Sequence, residues 1–316
     1  MVRRYLRKLI PVSIRTFISK IESFLLFEIY AYRFLGPFVS KTLRQRQTPL
    51  NYLFVMAPAR SGSSLLGHIL YNHAEVTGYG ESHVAYASNH DLQHLIYRTA
   101  AVLDDFDPLA CTYIVDKLVW EYPISDSILQ NQQIKFIFLL RDPAATYTST
   151  VKSFSGHESP EEVDKWIAYY LKRLKTLETF ATQINSPQRC LTLRYEDLLG
   201  DTERTLDSFQ RFLGTTAPFS DSYTVAKHTS RLKYGDNSET IKAGKILRRK
   251  FHPPTLNDAV FTPQKQQSVY SAYSDCISAL KKHTQFQGSY LSQTSENLRT
   301  LAHKKSKNLR TLAHKS

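Results

Sequence analysis

Asn51-Tyr52-Leu53-Phe54-Val55-Met56-Ala57-Pro58-Ala59-Arg60-Ser61-Gly62-Ser63-Ser64 joins an apolar run to a turn rich in serine. Its apolar start predicts a buried strand, Pro58 to Gly62 a turn, and Ser63 to Tyr71 a helix. A strand that turns sharply into a helix aims consecutive backbone N–H groups and a helix N-terminus at an anion. Gly62 lets the backbone approach closely, and Ser61, Ser63 and Ser64 add hydroxyl donors. Laid over the Walker pattern, the stretch has Ala57 for the first glycine and Ser63 for the lysine. The cation that reaches β/γ-phosphates is missing there, and another stands earlier, at Arg60. The loop therefore suits one terminal anionic group better than a triphosphate.

Working outward, strands are predicted at 113–115, 135–140 and 189–194. Helices are predicted at 143–154, 161–184 and 201–213, the last stopped by Gly214, with a terminal helix near 263–283. Segments 84–110 and 220–260 read as loops that would shape a substrate pocket. Strands alternating with helices predict an α/β fold on a parallel sheet. Ligands of such sheets bind at the carboxyl ends of the strands, here Ala57, Asp116, Leu140 and Arg194. After Leu140 come Arg141-Asp142-Pro143, with Ser149 eight residues beyond Arg141 on the following helix. One arginine at a strand end and one hydroxyl on the next helix can grip a second phosphate.

Pro58-x-Arg60-Ser61-Gly62-Ser63-Ser64 resembles the 5′-phosphosulfate loop of sulfotransferases that use 3′-phosphoadenosine 5′-phosphosulfate. Arg141 with Ser149 resembles their 3′-phosphate motif, at the same spacing. Arg194-Tyr195-Glu196-Asp197-Leu198, then a helix ending Phe212-Leu213-Gly214, resembles a third shared stretch whose tyrosine lies near the nucleotide. The three motifs run in the family's order from about 51 to 245, and the branch resembled is the microbial, Golgi and tyrosylprotein one. The resemblance implies a three-layer parallel sheet with a phosphate-binding loop, the P-loop NTPase-like sulfotransferase fold. It also implies that donor as co-substrate, no metal, and a hydroxyl-bearing acceptor: carbohydrate, lipid or small metabolite.

Sulfuryl transfer depends on positioning and charge stabilisation, with a base for the acceptor hydroxyl and cations for the leaving phosphate. Gly78-Tyr79-Gly80-Glu81-Ser82-His83 resembles the family's Gly-x-Glu, which makes Glu81 the candidate base and His83 its rival. By the same resemblance Lys117 stabilises the bridging oxygen or positions the acceptor, with Asp116 orienting it, and Arg60 faces the transferred group. Gly235 to Lys245 resembles a late loop that closes over the nucleotide, with Lys242 or Lys245 meeting the 3′-phosphate.

Charge is uneven. Residues 1–50 carry a net +8 and 295–316 a net +5, which leaves the intervening body neutral within a chain of net +13. A nucleic-acid binder spreads basic charge over its folded face, so no nucleic-acid partner is expected. Residues 12–35 predict a helix stopped by Gly36-Pro37, too often interrupted by charge to span a membrane. It either packs on the body or lies in a membrane interface. The expected organisation is a basic amphipathic segment at 1–50, a sulfotransferase domain at 51–290, and a basic tail at 291–316. In the tail, Asn297–Lys304 recurs as Asn308–Lys315. Three scattered cysteines and no Asn-x-Ser/Thr sequon favour a cytoplasmic compartment, membrane-peripheral on the second reading of the helix. Two other functions stay open. A small-molecule kinase would take Asp116 or Asp142 as its magnesium aspartate, and a non-catalytic membrane-associated nucleotide binder would use the loop alone.

Overall fold

The computed structural model describes residues 29–156, 158–225 and 238–286. The basic tail, residues 1–28 of the amphipathic segment and Gly235 to Asn237 of the late loop lie outside these. Six strands form one sheet: β1 (Asn51–Met56), β2 (Val76–Thr77), β3 (Tyr113–Leu118), β4 (Ile134–Leu140), β5 (Cys190–Arg194) and β6 (Gln285–Phe286). Their order is β2-β3-β1-β4-β5-β6, so the chain builds outward from β1 first on one side and then on the other. β1 and β2 pair with β3 in parallel, as β6 does with β5. The parallel α/β sheet is the class the sequence predicts.

Strands buried on both faces must be apolar throughout. Tyr52 to Met56 and Phe136 to Leu140 meet that demand and are buried along their whole length. Burying one such Phe or Leu stabilises the fold by about 1.5–3 kcal/mol. β3 is the exception that matters, because it buries Asp116 and Lys117 beside Ile114 and Val115. The expected end at Asp116 is corrected: charged residues mimic a strand exit, but β3 continues to Leu118 in register with β1.

The helices, in chain order, are α1 (Gly36–Leu43), α2 (Ser63–Tyr71), α3 (Asn89–Val102), α4 (Asp126–Leu129), α5 (Pro143–Thr150), α6 (Pro160–Ile184), α7 (Tyr195–Gly200), α8 (Thr202–Leu213), α9 (Glu239–Lys242) and α10 (Pro263–His283). Three expectations change here. Gly36-Pro37 does not stop the N-terminal helix, because a π-helical turn at Tyr30–Leu35 resets the register and Pro37 falls in the first turn of α1. A proline there gives up an N–H that the helix does not use. The expected loop at 84–110 contains α3, started by a capping box of Ser88 and Asp91. The predicted helix at 143–154 is α-helical only to Thr150 and π-helical from Val151 to Ser155.

Two compact units divide the described residues. One holds 29–57, 63–136, 215–225 and 238–245, and the other holds 58–62, 137–156, 158–214 and 246–286. In the second, α6 packs along α10. α6 starts on the Ser159 side chain, which accepts from Glu162 N–H, and buries a stripe from Val163 through Trp166, Tyr170, Leu174, Leu177 and Ala181. Gly214 ends α8 at φ 73°, a left-handed position that suits glycine. Cys111 in the first unit and Cys190 and Cys276 in the second are buried free thiols. Among the described residues no helix is long and apolar enough to cross a membrane.

Candidate active site

In the second unit the turn after β1 is held in an unusual backbone. Arg60 has φ 65° and Gly62 φ 94°. A non-glycine residue with positive φ is strained by about 1 kcal/mol or more and persists only where its surroundings hold it. The restraints are visible. The Arg141 guanidinium donates to the Arg60 carbonyl at 2.9 Å, and the Tyr169 hydroxyl accepts from Ala59 N–H at 2.7 Å. Arg60 Nε donates to Ser149 Oγ at 3.2 Å. The residues predicted for two separate anion grips, Arg60 after β1 and the Arg141/Ser149 pair after β4, therefore form one cluster.

Tyr195 is the floor of that cluster. Its ring lies 4.6 Å from the Arg141 guanidinium, a cation–π contact. A Cβ added to Gly62 would come within 2.1 Å of the same ring. Gly62 is thus needed to admit Tyr195, a second constraint on this position beside the expected close approach to an anion. Asp142 does not neutralise Arg141, since its carboxylate accepts from Ala145 N–H and caps α5. Its own N–H donates to Glu196 at 2.8 Å, tying the end of β4 to the end of β5. Burial pushes the Asp142 and Glu196 carboxyls up, and it takes Asp197 to about 6.

The cluster holds polar atoms that await a partner. Ser61 Oγ and Arg141 Nε are buried with no hydrogen-bond partner among the described residues. Buried donors of this kind are seldom left orphaned in a folded chain. Burial lowers the Arg141 pKa, as do the positive charges of Arg249 and Arg60, while Tyr195 and Glu196 raise it. Arg249 was missed as a site residue, although the run Arg248-Arg249-Lys250 marks it in the sequence. Its N–H donates to the Leu199 carbonyl just beyond Tyr195. Ser63 and Ser64 continue the turn as the first residues of α2.

The first unit holds the other candidates. The two charges buried in β3 have different partners. Lys117 Nζ lies 3.7 Å from Glu81 Oε1, with the lysine side chain 2% exposed and the glutamate 18%. The Asp116 carboxylate is taken up largely by Ser82 and Tyr86. It accepts from Ser82 N–H at 2.8 Å, from Ser82 Oγ, and from the Tyr86 hydroxyl at 2.6 Å. Lys117 N–H donates to the Gly80 carbonyl at 3.1 Å. Both ends of Glu81 are thereby pinned to β3. Gly80, at φ 124°, and His83, at φ 56°, make the turns on either side. His83 is exposed and its Nδ1 is 2.5 Å from the Tyr122 hydroxyl. Tyr71 was also missed. Its hydroxyl is buried, and burial first, then Asp116 and Glu81, hold it protonated. Gly78 makes room for its ring, because a Cβ there would lie 2.8 Å away.

The late loop folds back within the same unit. Tyr223 N–H donates to the Gly244 carbonyl at 2.8 Å, and its hydroxyl to the Ile241 carbonyl. Lys242 is exposed and paired with Glu239 at 2.7 Å, and Lys245 is exposed too. Among the described residues no group of three or more His, Cys, Asp or Glu is placed to hold a metal ion.

No curated protein sequence matches the chain. A mouse sulfotransferase complexed with PAP is 13% identical over 75% of this chain and 88% of its own, with a TM-score of 0.43. A sulfotransferase from Alicyclobacillus acidocaldarius is 14% identical over 74% and 95%, at 0.43. Retinol dehydratase in complex with androsterone and PAP is 14% identical over 80% and 88%, at 0.40. Residues 112–221 match the model of the sulfotransferase family. That segment carries Lys117, Arg141, Ser149 and Tyr195.

Proposed function

We propose that this chain moves a sulfuryl group from 3′-phosphoadenosine 5′-phosphosulfate to a hydroxyl of a carbohydrate, lipid or small-metabolite acceptor. The observation that carries the reading is the cluster of Arg60, Ser149 and Arg141 above Tyr195, with two buried donors awaiting a partner. Its donor set suits a ligand with two anionic ends. Arg60, Ser61, Gly62, Ser63 and Ser64 take the 5′-phosphosulfate, and Arg141 and Ser149 take the 3′-phosphate. Tyr195 supports the nucleotide. Arg249 joins Lys242 as a candidate for the closing cation.

The chemistry assigned to the chain is a displacement at sulfur. Glu81 accepts the acceptor's hydroxyl proton while that oxygen bonds to sulfur. The bond from sulfur to the bridging oxygen breaks, leaving a sulfate ester and adenosine 3′,5′-bisphosphate. Arg60 and Lys117 stabilise the charge that gathers on the bridging oxygen.

Adenosine 3′,5′-bisphosphate tests the reading. At 100 times its dissociation constant it should add about 2.7 kcal/mol to stability. ATP, which lacks the 3′-phosphate, should raise the melting temperature less. An equal or larger rise with ATP, together with magnesium-dependent ATP consumption, would identify a kinase instead.

One surface favours membrane contact. Phe34 and Phe38 are one turn apart and each 70% exposed, flanked by exposed Arg33 and Lys41. Exposed aromatics between cations suit an anionic lipid surface. Phosphatidylserine vesicles should sediment the protein and phosphatidylcholine vesicles should not.

A further inference from the structure

The turn after β1 places an arginine where the backbone asks for glycine. Ser61 N–H donates to the Pro58 carbonyl at 3.3 Å, which closes a four-residue turn with Arg60 in its third position at φ 65°. Positive φ in that position marks a type II turn, which calls for glycine or asparagine because other side chains are strained there. Arg60 stays in place only if its neighbours hold it. Arg141 holds the Arg60 carbonyl, but Arg141 is itself assigned to the nucleotide. The other restraint comes from α6, where the Tyr169 hydroxyl accepts from Ala59 N–H at 2.7 Å. We propose that Tyr169 is a positioning residue, which sets the backbone of the loop for the 5′-phosphate and takes no part in the 3′-phosphate grip. The proposal rests on the sulfotransferase reading and adds to it a residue outside the three sequence motifs.

Three observations support the assignment. The two hydrogen bonds flank the strained residue, one made by the N–H before it and the other by its own carbonyl. The turn cannot relax about Arg60 while both persist. The helix that carries Tyr169 is also a firm platform. The next residue, Tyr170, is buried and stacked on Trp166 with ring centroids 4.7 Å apart, and its hydroxyl donates to the Arg141 carbonyl at 3.5 Å. Trp166 in turn meets Tyr147 of α5 and Phe261 edge to face. Consecutive tyrosines of one helix thus reach the turn after β1 and the end of β4. The third observation is what the turn controls. Ser61 Oγ, buried with no hydrogen-bond partner among the described residues, follows Arg60 directly, so a relaxed turn would carry this donor away from its ligand. A donor set in advance binds more tightly, because the ligand does not have to order it.

Tyr169→Phe tests this, since it removes one oxygen from a half-buried position and keeps the ring. Two nucleotides read its effect. Adenosine 3′,5′-bisphosphate reaches both grips, whereas adenosine 3′-monophosphate has no phosphate for the loop. In calorimetric titrations of the full chain the variant should bind the bisphosphate about fivefold or more weakly than the parent, and the monophosphate within about twofold of it. Unchanged affinity for the bisphosphate would overturn the proposal whatever the melting temperature does, because a hydrogen bond that only supports the fold alters stability alone. Equal weakening of both nucleotides would overturn it too, because the hydroxyl would then act outside the loop. Amide exchange provides a test that needs no variant. The Ala59 amide should be protected in the ligand-free parent, and an amide that exchanges freely there would overturn the proposal even if Tyr169→Phe failed to fold. Failure of the parent to bind the bisphosphate would remove the sulfotransferase reading and this proposal with it, whereas the other outcomes remove only this one.

Discussion

The Arg60–Arg141 cluster and the Asp116–Ser82–Tyr86 network both bury charge, and they handle it in opposite ways. In the network every oxygen of Asp116 is satisfied from within the chain. The Glu81 loop is fixed from within the chain, which suits the base proposed for Glu81 because a proton acceptor must be held in one orientation. In the cluster the turn is strained, three arginines are near one another, and Ser61 Oγ and Arg141 Nε have no partner. A dianionic ligand would relieve all three conditions at once. The difference separates a part of the fold made to hold still from a part made to receive.

The largest effect is expected at Glu81. Glu81→Gln keeps shape and hydrogen-bonding capacity but cannot take a proton. Turnover, or slow hydrolysis of the donor, should fall by about 10²–10⁴-fold, while affinity for adenosine 3′,5′-bisphosphate is unchanged. If His83→Ala abolished turnover and Glu81→Gln did not, the base would be His83.

Arg141→Ala attacks the receiving half. Loss of one charge-assisted grip should weaken nucleotide binding by about 1.5–3 kcal/mol by calorimetry. An unchanged dissociation constant would show that the cluster does not hold the 3′-phosphate.

Gly62→Ala sharpens the role of Tyr195 in the same half. The added methyl must displace the ring, which should cost about 1–3 kcal/mol of stability in denaturant titration. The double variant with Tyr195→Ala should recover part of that loss. No recovery would mean that the φ of 94° alone makes the residue a glycine.

The smallest effect concerns Asp197, two residues beyond Tyr195. Asp197 is buried, and both its carboxylate oxygens lack hydrogen-bond partners among the described residues. Burial raises its pKa from 3.8 to about 6, so the folded chain holds this proton more tightly than the unfolded one. The sign follows: the stabilising protonated form is fully present below pH 3.8, and its benefit is lost as pH rises through 6. Asp197→Asn should therefore raise stability at pH 7 by about 1 kcal/mol, within a ceiling of about 3 kcal/mol. The gain should shrink toward pH 4. A variant less stable than the parent at pH 7 would refute the account.

Much of the receiving half is legible in the sequence. The turn after β1, the strand before Arg141, the stop at Gly214 and the bounds of α10 all follow from local signals: an apolar run, a glycine beyond a helix, a proline that opens one. The other half is harder to read for reasons that are equally local. Asp116 and Lys117 look like a strand exit because buried charge is rare, and only their partners, Ser82, Tyr86 and Glu81, explain why β3 continues. α3 is written in polar and histidine-rich residues that blur its period. β2 and β6, at two residues each, are too short to show an alternation. Arg249 is visible as one of three consecutive cations, but nothing local says which of them turns toward Arg141.

The three buried thiols give each half its own clock. Burial takes the Cys111 thiol to about 11 and those of Cys190 and Cys276 to about 12, so little thiolate forms near neutral pH. Alkylation must then wait for the surrounding unit to open. Cys111 reports on the unit that carries Glu81, and Cys190 and Cys276 on the one that carries Arg141. Mass-resolved labelling with and without adenosine 3′,5′-bisphosphate would time the two openings in a single sample, and slowing confined to Cys190 and Cys276 would map the ligand to its half of the chain.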